Sequence, residues 1–157
     1  MTSIISVNDD IRHVTLPEIQ VAENKYPETG YVCEYVYPEL TALCPTSRLP
    51  DFYNITIAYE PDKRLPELKS LKYYFVAFRN VGTFHEHLIN RIMDDFFEAV
   101  EPRWAYVQLF ANNRGGITTT LRRYKSRSHG DEVSKALELS NVYPQSFISV
   151  ENEEKSI

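Results

Sequence analysis

The apolar and polar side chains change period twice along the chain. Residues 52–59 alternate, with apolar side chains at every second position, which predicts the clearest strand of the sequence. A first strand, bent at Pro38, is predicted over residues 31–43, and alternation returns over residues 103–110. A threonine-rich last strand is predicted over residues 117–124, after a tight glycine-containing turn.

Between these two pairs of strands, apolar residues recur at three- and four-residue steps, which is the helical period. The first helix is predicted to begin near Pro66 and the second after a break at Gly82, with Pro102 closing the second. Thr83 and Glu86 fit a capping box at the start of the second helix, with threonine as the N-cap. The predicted apolar stripes are Leu68, Leu71, Phe75 and Phe78 on the first helix, and Phe84, Leu88, Ile92 and Phe96 on the second.

The order of these elements is strand, strand, helix, helix, strand, strand. It predicts an α+β fold in which two helices cover one face of an antiparallel sheet. Four strands leave two open edges, so we expect the sheet to continue into a neighbouring copy of the chain in a homo-oligomer. The 157 residues are interpreted as one domain with a core of about residues 31–124, an N-terminal arm over residues 1–30 and a polar tail over residues 125–157.

Composition narrows the class of protein further. The net charge of −5 is not that of a general nucleic-acid-binding protein, so no direct nucleic-acid partner is expected. The first 13 residues lack the apolar core of an export signal, and no apolar run is long enough to span a membrane. Two cysteines are too few for a disulfide framework. These observations predict a cytoplasmic protein with reduced thiols and no membrane partner.

Cys44 stands where the first strand ends, and Asp51 follows seven residues later at the start of the next strand. A thiolate at a strand end can face a pocket, and a carboxyl group at hairpin distance can transfer a proton. A small buried cysteine and an ordinary Pro-Asp turn would give the same spacing. The spacing alone leaves both interpretations open.

Three cations and two acids are further candidates. Lys69 and Lys72 share a helix face that suits a phosphate or simply faces water, and Arg114 is a third cation in a turn. Glu67 opens the first helix, where the helix dipole alone would explain it. Glu86 either completes a capping box or receives the edge of a guanine-like base, since its two oxygens can accept from a ring N–H and an amino group.

Metal and dinucleotide motifs are missing from the sequence. The histidines have no cysteine partners at zinc spacing, so no metal site is predicted. There is no glycine-rich dinucleotide fingerprint, so any nicotinamide binding would be of a non-Rossmann kind. The four histidines are His13, His85, His87 and His129.

Five blocks of sequence together resemble the NADPH-dependent 7-cyano-7-deazaguanine reductases, in the short, single-domain form of that family. The most specific block is the octapeptide Glu67-Leu68-Lys69-Ser70-Leu71-Lys72-Tyr73-Tyr74. The other blocks are Cys44-Pro45 with Pro50-Asp51-Phe52, Phe78-Arg79-Asn80, Phe84-His85-Glu86, and Arg114-Gly115-Gly116-Ile117. All stand in family order and spacing over roughly residues 31–124. The resemblance implies the tunnelling fold, assembled into a multi-subunit barrel with active sites between subunits, as a decamer of two pentamers.

The resemblance also implies a reaction, part of queuosine biosynthesis for tRNA modification. Cys44 would attack the nitrile carbon of 7-cyano-7-deazaguanine to form a covalent thioimide, and Asp51 would supply the proton for the nitrile nitrogen. Hydride from two molecules of NADPH would then carry the adduct through an imine to the primary amine. Forming the adduct turns a poorly electrophilic nitrile into a carbon that accepts hydride.

The remaining roles implied by the resemblance concern binding. Glu86 would hold the guanine-like edge with His85 beside the reacting group, and Lys69, Lys72 and Arg114 would bind the phosphates of NADPH. The other base-pocket residues implied are Pro66, Glu67 and Leu68. The chain departs from the family at Ser47-Arg48-Leu49, where the family has a glycine-containing turn, and this departure puts the local geometry of that loop in question.

Three alternatives remain at this point. A related enzyme adds ammonia to the same nitrile in tRNA, but it lacks the lysine helix and would not suit a charge of −5. A cyclohydrolase-type enzyme of the same fold would need zinc ligands. A non-catalytic purine-binding oligomer would keep only the base pocket.

Overall fold

The computed structural model describes residues 10–128 and 130–143. Two short 3₁₀ turns, Ile11–His13 and Ala77–Asn80, accompany the main elements. The strands are β1 (Val21–Glu23), β2 (Cys33–Leu43), β3 (Pro50–Glu60), β4 (Arg64–Pro66), β5 (Trp104–Arg114) and β6 (Ile117–Ser126). The helices are α1 (Leu68–Val76), α2 (His85–Val100) and α3 (Glu132–Val142).

The main sheet has four antiparallel strands in the order β2-β3-β5-β6. This confirms the predicted fold class and the order strand, strand, helix, helix, strand, strand. Strands β2 and β6 are its two edges, each with one side not paired within the described part of the chain. Within the same residues, no helix is long and apolar enough to cross a membrane.

The core lies between one face of this sheet and helices α1 and α2. The inward residues of β3, including Ile55 and Ile57, are buried against the apolar stripe of α2, as the alternation predicted. Burying each such side chain stabilises the fold by about 1.5–3 kcal/mol. The stripe predicted for α1 is wrong at Leu68, which is 58% exposed because it is the first residue of the helix.

Helix α1 begins two residues later than the predicted start near Pro66. Pro66 instead pairs with Val21 in a small second sheet formed by β1 and β4, so part of the predicted N-terminal arm packs on the domain. Glu67 is the N-cap of α1, and its carboxylate accepts hydrogen bonds from the backbone N–H groups of Lys69 and Ser70.

The capping box predicted for α2 is wrong. The N-cap is Phe84, without a side-chain cap, and the Thr83 hydroxyl donates to the carbonyl of Phe84. Thr83 is fully buried, and its N–H donates to the carbonyl of Leu43 at the end of β2. The side chain of Thr83 therefore does not reach the helix N–H groups, and Glu86 is not explained by capping.

The outer face of the sheet carries helix α3, which the sequence left unassigned within the polar tail. Ala136 of α3 is buried against Ala58 and Tyr106, and Tyr143 stacks on Tyr106 with ring centroids 5.9 Å apart. Ala58 and Tyr106 alternate with the inward residues of their strands, so their side chains lie on the outer face of the sheet. Helix α3 shields this second apolar cluster from solvent. His129 lies outside the described residues.

Candidate active site

The loop of residues 44–49, here called the thiol loop, connects β2 to β3. The N–H of Cys44 donates to Leu49 O at 2.8 Å, and the N–H of Arg48 donates to Cys44 O at 2.9 Å. Arg48 has a φ of 61°, a left-handed conformation that glycine adopts without strain. The loop therefore keeps a tight, glycine-like turn at the position where the sequence departs from the family.

The thiol of Cys44 is activated by its own loop. Hydrogen bonds from the side chains of Ser47 and Thr46, with the backbone N–H of Ser47, lower the pKa of Cys44 to about 7. The Cys44 Sγ lies 3.1 Å from Thr46 Oγ1. The Ser47 oxygen accepts from the Leu49 N–H at 3.3 Å and from the Arg114 guanidinium at 3.5 Å, which connects the thiol loop to Arg114. A substantial fraction of the thiol is therefore the nucleophilic thiolate near neutral pH.

Asp51 continues the inward side of β3 at the end of the core. It is only 4% exposed, and Arg114 donates to its Oδ1 in an ion pair. This contact raises the pKa of Arg114 further. The pairing of β5 with β6 shifts register between Ala111 and Arg114, and such irregularities re-aim side chains. The two glycines of the following turn have φ of 60° and 86°, as a two-residue hairpin turn requires.

The start of α2 is brought to the thiol loop by a short parallel bridge between Leu43 and Gly82. The N–H of Leu43 donates to Val81 O, and the N–H of Thr83 to Leu43 O, both at 2.9 Å. A Cβ on Gly82 would lie 3.0 Å from the Arg48 Nη1 atom, so glycine allows this close approach. The bridge places the first turn of α2, with the predicted site residues His85 and Glu86, beside the end of β2.

Tyr53 is a residue of this region that the sequence did not single out. Its hydroxyl lies 2.7 Å from His85 Nδ1, and the two rings make an edge contact with centroids 5.4 Å apart. Burial raises the pKa of Tyr53, and the charges of Asp51, Cys44 and Glu86 raise it further. Because His85 is the first residue of α2, this contact connects the inward face of β3 to the first turn of that helix. The sequence does place Tyr53 at a core-facing position of β3. Alternation alone, however, indicates a residue that packs in the core and not one that bonds to a site residue.

The residues predicted to complete the base pocket lie elsewhere in the chain. Both carboxylate oxygens of Glu67 are engaged at the start of α1, at 2.9 and 2.7 Å from backbone nitrogens, and these bonds lower its pKa. Pro66 is buried in β4, and Leu68 is exposed. The last turn of α1 stacks Phe75 on Tyr37. Tyr37 lies in β2, seven residues before Cys44.

Lys69 and Lys72 are exposed on α1, as predicted for one face of that helix. Within residues 10–128 and 130–143, neither forms an ion pair, and Lys72 Nζ lies 5.2 Å from the ring centre of the exposed Tyr73. Two unpaired ammonium groups beside exposed Leu68 and Tyr73 fit a ligand that has both phosphates and flat rings, such as NADPH. The third predicted phosphate ligand, Arg114, is instead paired with Asp51.

In the described part of the chain, no group of three or more His, Cys, Asp or Glu side chains is arranged to hold a metal ion. Cys33 and Cys44 are both free thiols.

The sequence matches known proteins over most of its length. The family model described as QueF-like protein matches residues 50–129. The chain is 51% identical over 110 residues to the NADPH-dependent 7-cyano-7-deazaguanine reductase of Chlorobaculum tepidum, covering 70% of this chain and 94% of that protein. It is 50% identical over 103 residues to the protein of the same name from Chlorobium phaeovibrioides, covering 66% of this chain and 89% of the relative.

A solved structure shares the fold. The apo crystal structure of the archaeosine synthase QueF-Like superposes with a TM-score of 0.58, covering 62% of this chain and 96% of that one. The sequences are 16% identical, so this likeness supports the architecture alone.

Proposed function

This chain belongs to the QueF-like protein family, and we propose that it reduces 7-cyano-7-deazaguanine with NADPH through a covalent adduct on Cys44. It is an NADPH-dependent oxidoreductase of queuosine biosynthesis that converts a nitrile to a primary amine. The observation that carries the covalent step is the position of Cys44 directly after β2, with its Sγ 3.1 Å from Thr46 Oγ1 in a loop that lowers its pKa to about 7. A thiolate that forms near neutral pH is the nucleophile that a nitrile requires.

The first step joins the sulfur of Cys44 to the nitrile carbon. One C–N π bond breaks and its electron pair moves to nitrogen, so the nitrogen must take up a proton. Asp51, held in place by Arg114, relays to that nitrogen the proton that the thiol released. The product is a neutral thioimide, and no external acid is consumed.

The reduction requires two hydrides, which bound NADPH supplies. Release of the thiol after the first hydride leaves an imine, and each hydride is matched by one proton taken up from solvent. Asp51 is the proton carrier in both stages because it is the carboxyl group beside the thiol loop. Cys44 ends the cycle as a free thiol, ready for the next nitrile.

The base is held at the start of α2. The Glu86 carboxylate, exposed in the first turn, accepts from the ring N–H and amino group of the guanine-like edge. His85 lies beside the reacting group. Glu67 contributes backbone atoms rather than its carboxylate, which is committed to its own helix, and Pro66 and Leu68 complete the pocket.

We place the complete site between subunits of a homo-oligomer. The open edges β2 and β6 allow a continuous sheet between chains. In such a barrel, Lys69 and Lys72 of one subunit hold the NADPH phosphates against the thiol of another. Arg114, which is paired with Asp51 beside the thiol loop, adds a third positive charge for the NADPH phosphates.

Two further assignments complete the proposal. The chain acts as one tunnelling-fold domain over residues 1–157. We place it in the cytoplasm, where two free thiols, one of them with a lowered pKa, stay reduced.

The covalent step is tested by intact-mass measurement of the protein mixed with 7-cyano-7-deazaguanine, followed by addition of NADPH. We expect an adduct of the full substrate mass that Cys44→Ala abolishes and Cys33→Ala keeps. Adding NADPH should clear the adduct and oxidise two NADPH for each nitrile.

Each other outcome would contradict one part of the proposed reaction. An adduct without NADPH oxidation would favour an amidating enzyme over a reductase. An adduct that persists in Cys44→Ala would move the nucleophile elsewhere. NADPH oxidation with no adduct at any time would refute the covalent route, and neither adduct nor oxidation would leave a binding protein.

A further inference from the structure

The hydrogen bond between Tyr53 and His85 connects the core of β3 to the first turn of α2. The Tyr53 hydroxyl lies 2.7 Å from His85 Nδ1, and Tyr53 is only 1% exposed. The edge contact of the two rings, with centroids 5.4 Å apart, fixes the orientation of the imidazole as well as its distance. This pairing joins two residues 32 positions apart in sequence, so it depends on the fold.

The direction of this hydrogen bond follows from the surroundings of the phenol. A buried O–H group needs an acceptor, and leaving one unsatisfied is costly. Among the residues that the structure describes, His85 Nδ1 is the one hydrogen-bond partner of the Tyr53 hydroxyl. Tyr53 therefore donates and His85 Nδ1 accepts. A neutral imidazole that accepts at Nδ1 carries its proton on Nε2.

We propose that Tyr53 is a positioning residue that holds His85 as the neutral tautomer with its proton on Nε2. The catalytic consequence rests on the proposed function, whereas the tautomer itself does not. The position of the proton on a histidine is set in this way by the group bonded to its other nitrogen.

The consequence is a division of labour between His85 and Asp51. A neutral imidazole with its proton on Nε2 donates a directed hydrogen bond from that nitrogen. His85 then orients the lone pair of the substrate nitrogen, while Asp51 carries the proton to it. The ionisable groups that face Tyr53 are Asp51 and Arg114 from the strand ends, Cys44 from the thiol loop and Glu86 from α2.

The tautomer is measured by ¹⁵N NMR of the full-length protein labelled at histidine, because protonated and unprotonated ring nitrogens have well-separated shifts. The chain has four histidines, and the His85→Gln variant identifies the signals of His85. We expect a single tautomer with the proton on Nε2. In Tyr53→Phe, we expect a mixture of both neutral tautomers. Tyr59→Phe is the matched control, since Tyr59 is a buried inward residue of the same strand bonded to Tyr35.

Activity gives the second readout. Loss of one orienting hydrogen bond should lower kcat roughly tenfold in Tyr53→Phe. The rate of adduct formation with the nitrile should fall together with kcat, because His85 orients the nitrogen that is protonated in that step. The KM for NADPH should stay unchanged, because the Tyr53 hydroxyl is bonded to His85 and not to the lysine helix. A merely structural effect would instead weaken thermal stability and all kinetic constants together, in Tyr59→Phe as well.

The outcomes separate this inference from the proposed function. A proton on Nδ1 in the unmodified protein would overturn the inference whatever the enzyme does, and this measurement needs no variant that folds. An unchanged kcat in a folded Tyr53→Phe protein would also overturn its catalytic part. The Nε2 tautomer in a protein that forms no adduct would keep the positioning and refute the proposed covalent reaction.

Discussion

The thiol loop and the lysine helix α1 are organised in opposite ways. Hydrogen bonds within one chain hold Cys44 in the thiol loop. An ion pair with Arg114 holds the neighbouring Asp51. On α1, the capping residue is engaged with its own helix, but Lys69 and Lys72 are exposed and form no ion pair in the described part of the chain. The groups proposed for bond formation are thus held within a single chain, whereas the lysines proposed for the cofactor face solvent.

This difference has a physical cause. A thiolate, a buried carboxyl group and a paired guanidinium must be fixed before the reaction, because preorganised groups cost no reorganisation during it. Phosphate binding by lysine needs only flexible point charges, which lose little by facing water until the ligand arrives. Variants on the two sides should therefore fail in different ways.

The largest effect in this comparison is expected from Asp51→Asn. The amide keeps the shape and can accept from Arg114 but neither takes up nor gives up a proton near neutral pH, so kcat should fall about a hundredfold or more. Steady-state NADPH oxidation measures this loss. Asp62→Asn is the matched control, because Asp62 is also paired with an arginine, Arg127, at a different place. A loss of less than about threefold would remove Asp51 from proton transfer.

A smaller effect of a different kind is expected from Lys69→Ala. Removing one ammonium–phosphate contact should raise the KM for NADPH about tenfold, with kcat at saturation and adduct formation nearly unchanged. Lys63→Ala removes an exposed lysine from another surface and serves as the control. Loss of adduct formation in Lys69→Ala would place this lysine at the nitrile instead.

The smallest effect is expected from Ser47→Ala. It is seen when the rate of Cys44 alkylation is measured as a function of pH. The rate of alkylation of Cys44 should rise with pH through a midpoint of about 7, since only the thiolate reacts. Ser47 is the largest cause of the lowered pKa, so removing its hydroxyl should move that midpoint upward and slow alkylation at neutral pH.

Cys33→Ala should be the background for this measurement, because Cys44 is then the one thiol of the chain. Ser140→Ala, in a half-buried position of α3 away from the thiol loop, should leave the midpoint in place. An unmoved midpoint in Ser47→Ala would assign the activation to another group.

Much of the fold was predictable because it follows from period. Alternation identified β3 and β5, three- and four-residue steps identified α1 and α2, and the order of elements gave the sheet. The capping box was wrong because Thr83 is drawn into the bridge with Leu43, a contact between segments about 40 residues apart. Local capping motifs cannot anticipate such a contact.

The candidate residues of the site could be named from the sequence, but the contacts between their side chains could not. Spacing and resemblance pointed to Cys44 and Asp51, whose roles stay predictions. The ion pair of Asp51 with Arg114 depends on a register shift in β5, and the bond of Tyr53 to His85 depends on the bridge before α2. The sequence shows no base next to Cys44 that would lower the pKa of its thiol. The hydroxyl groups of Ser47 and Thr46 lower this pKa, and the fold of the turn brings them to the sulfur.

The central claim is that one subunit supplies the thiol and another the lysines. The most direct test mixes two variants, Cys44→Ala and the double variant Lys69→Ala with Lys72→Ala, coexpressed with different tags and purified as hybrids. NADPH oxidation is then measured well below saturation. If the site is shared, random assembly should restore about a quarter of the unmodified activity, because half of the thiol sides and half of the lysine sides are intact. If hybrids are no more active than the two parents, both halves act within one chain and the claim is wrong.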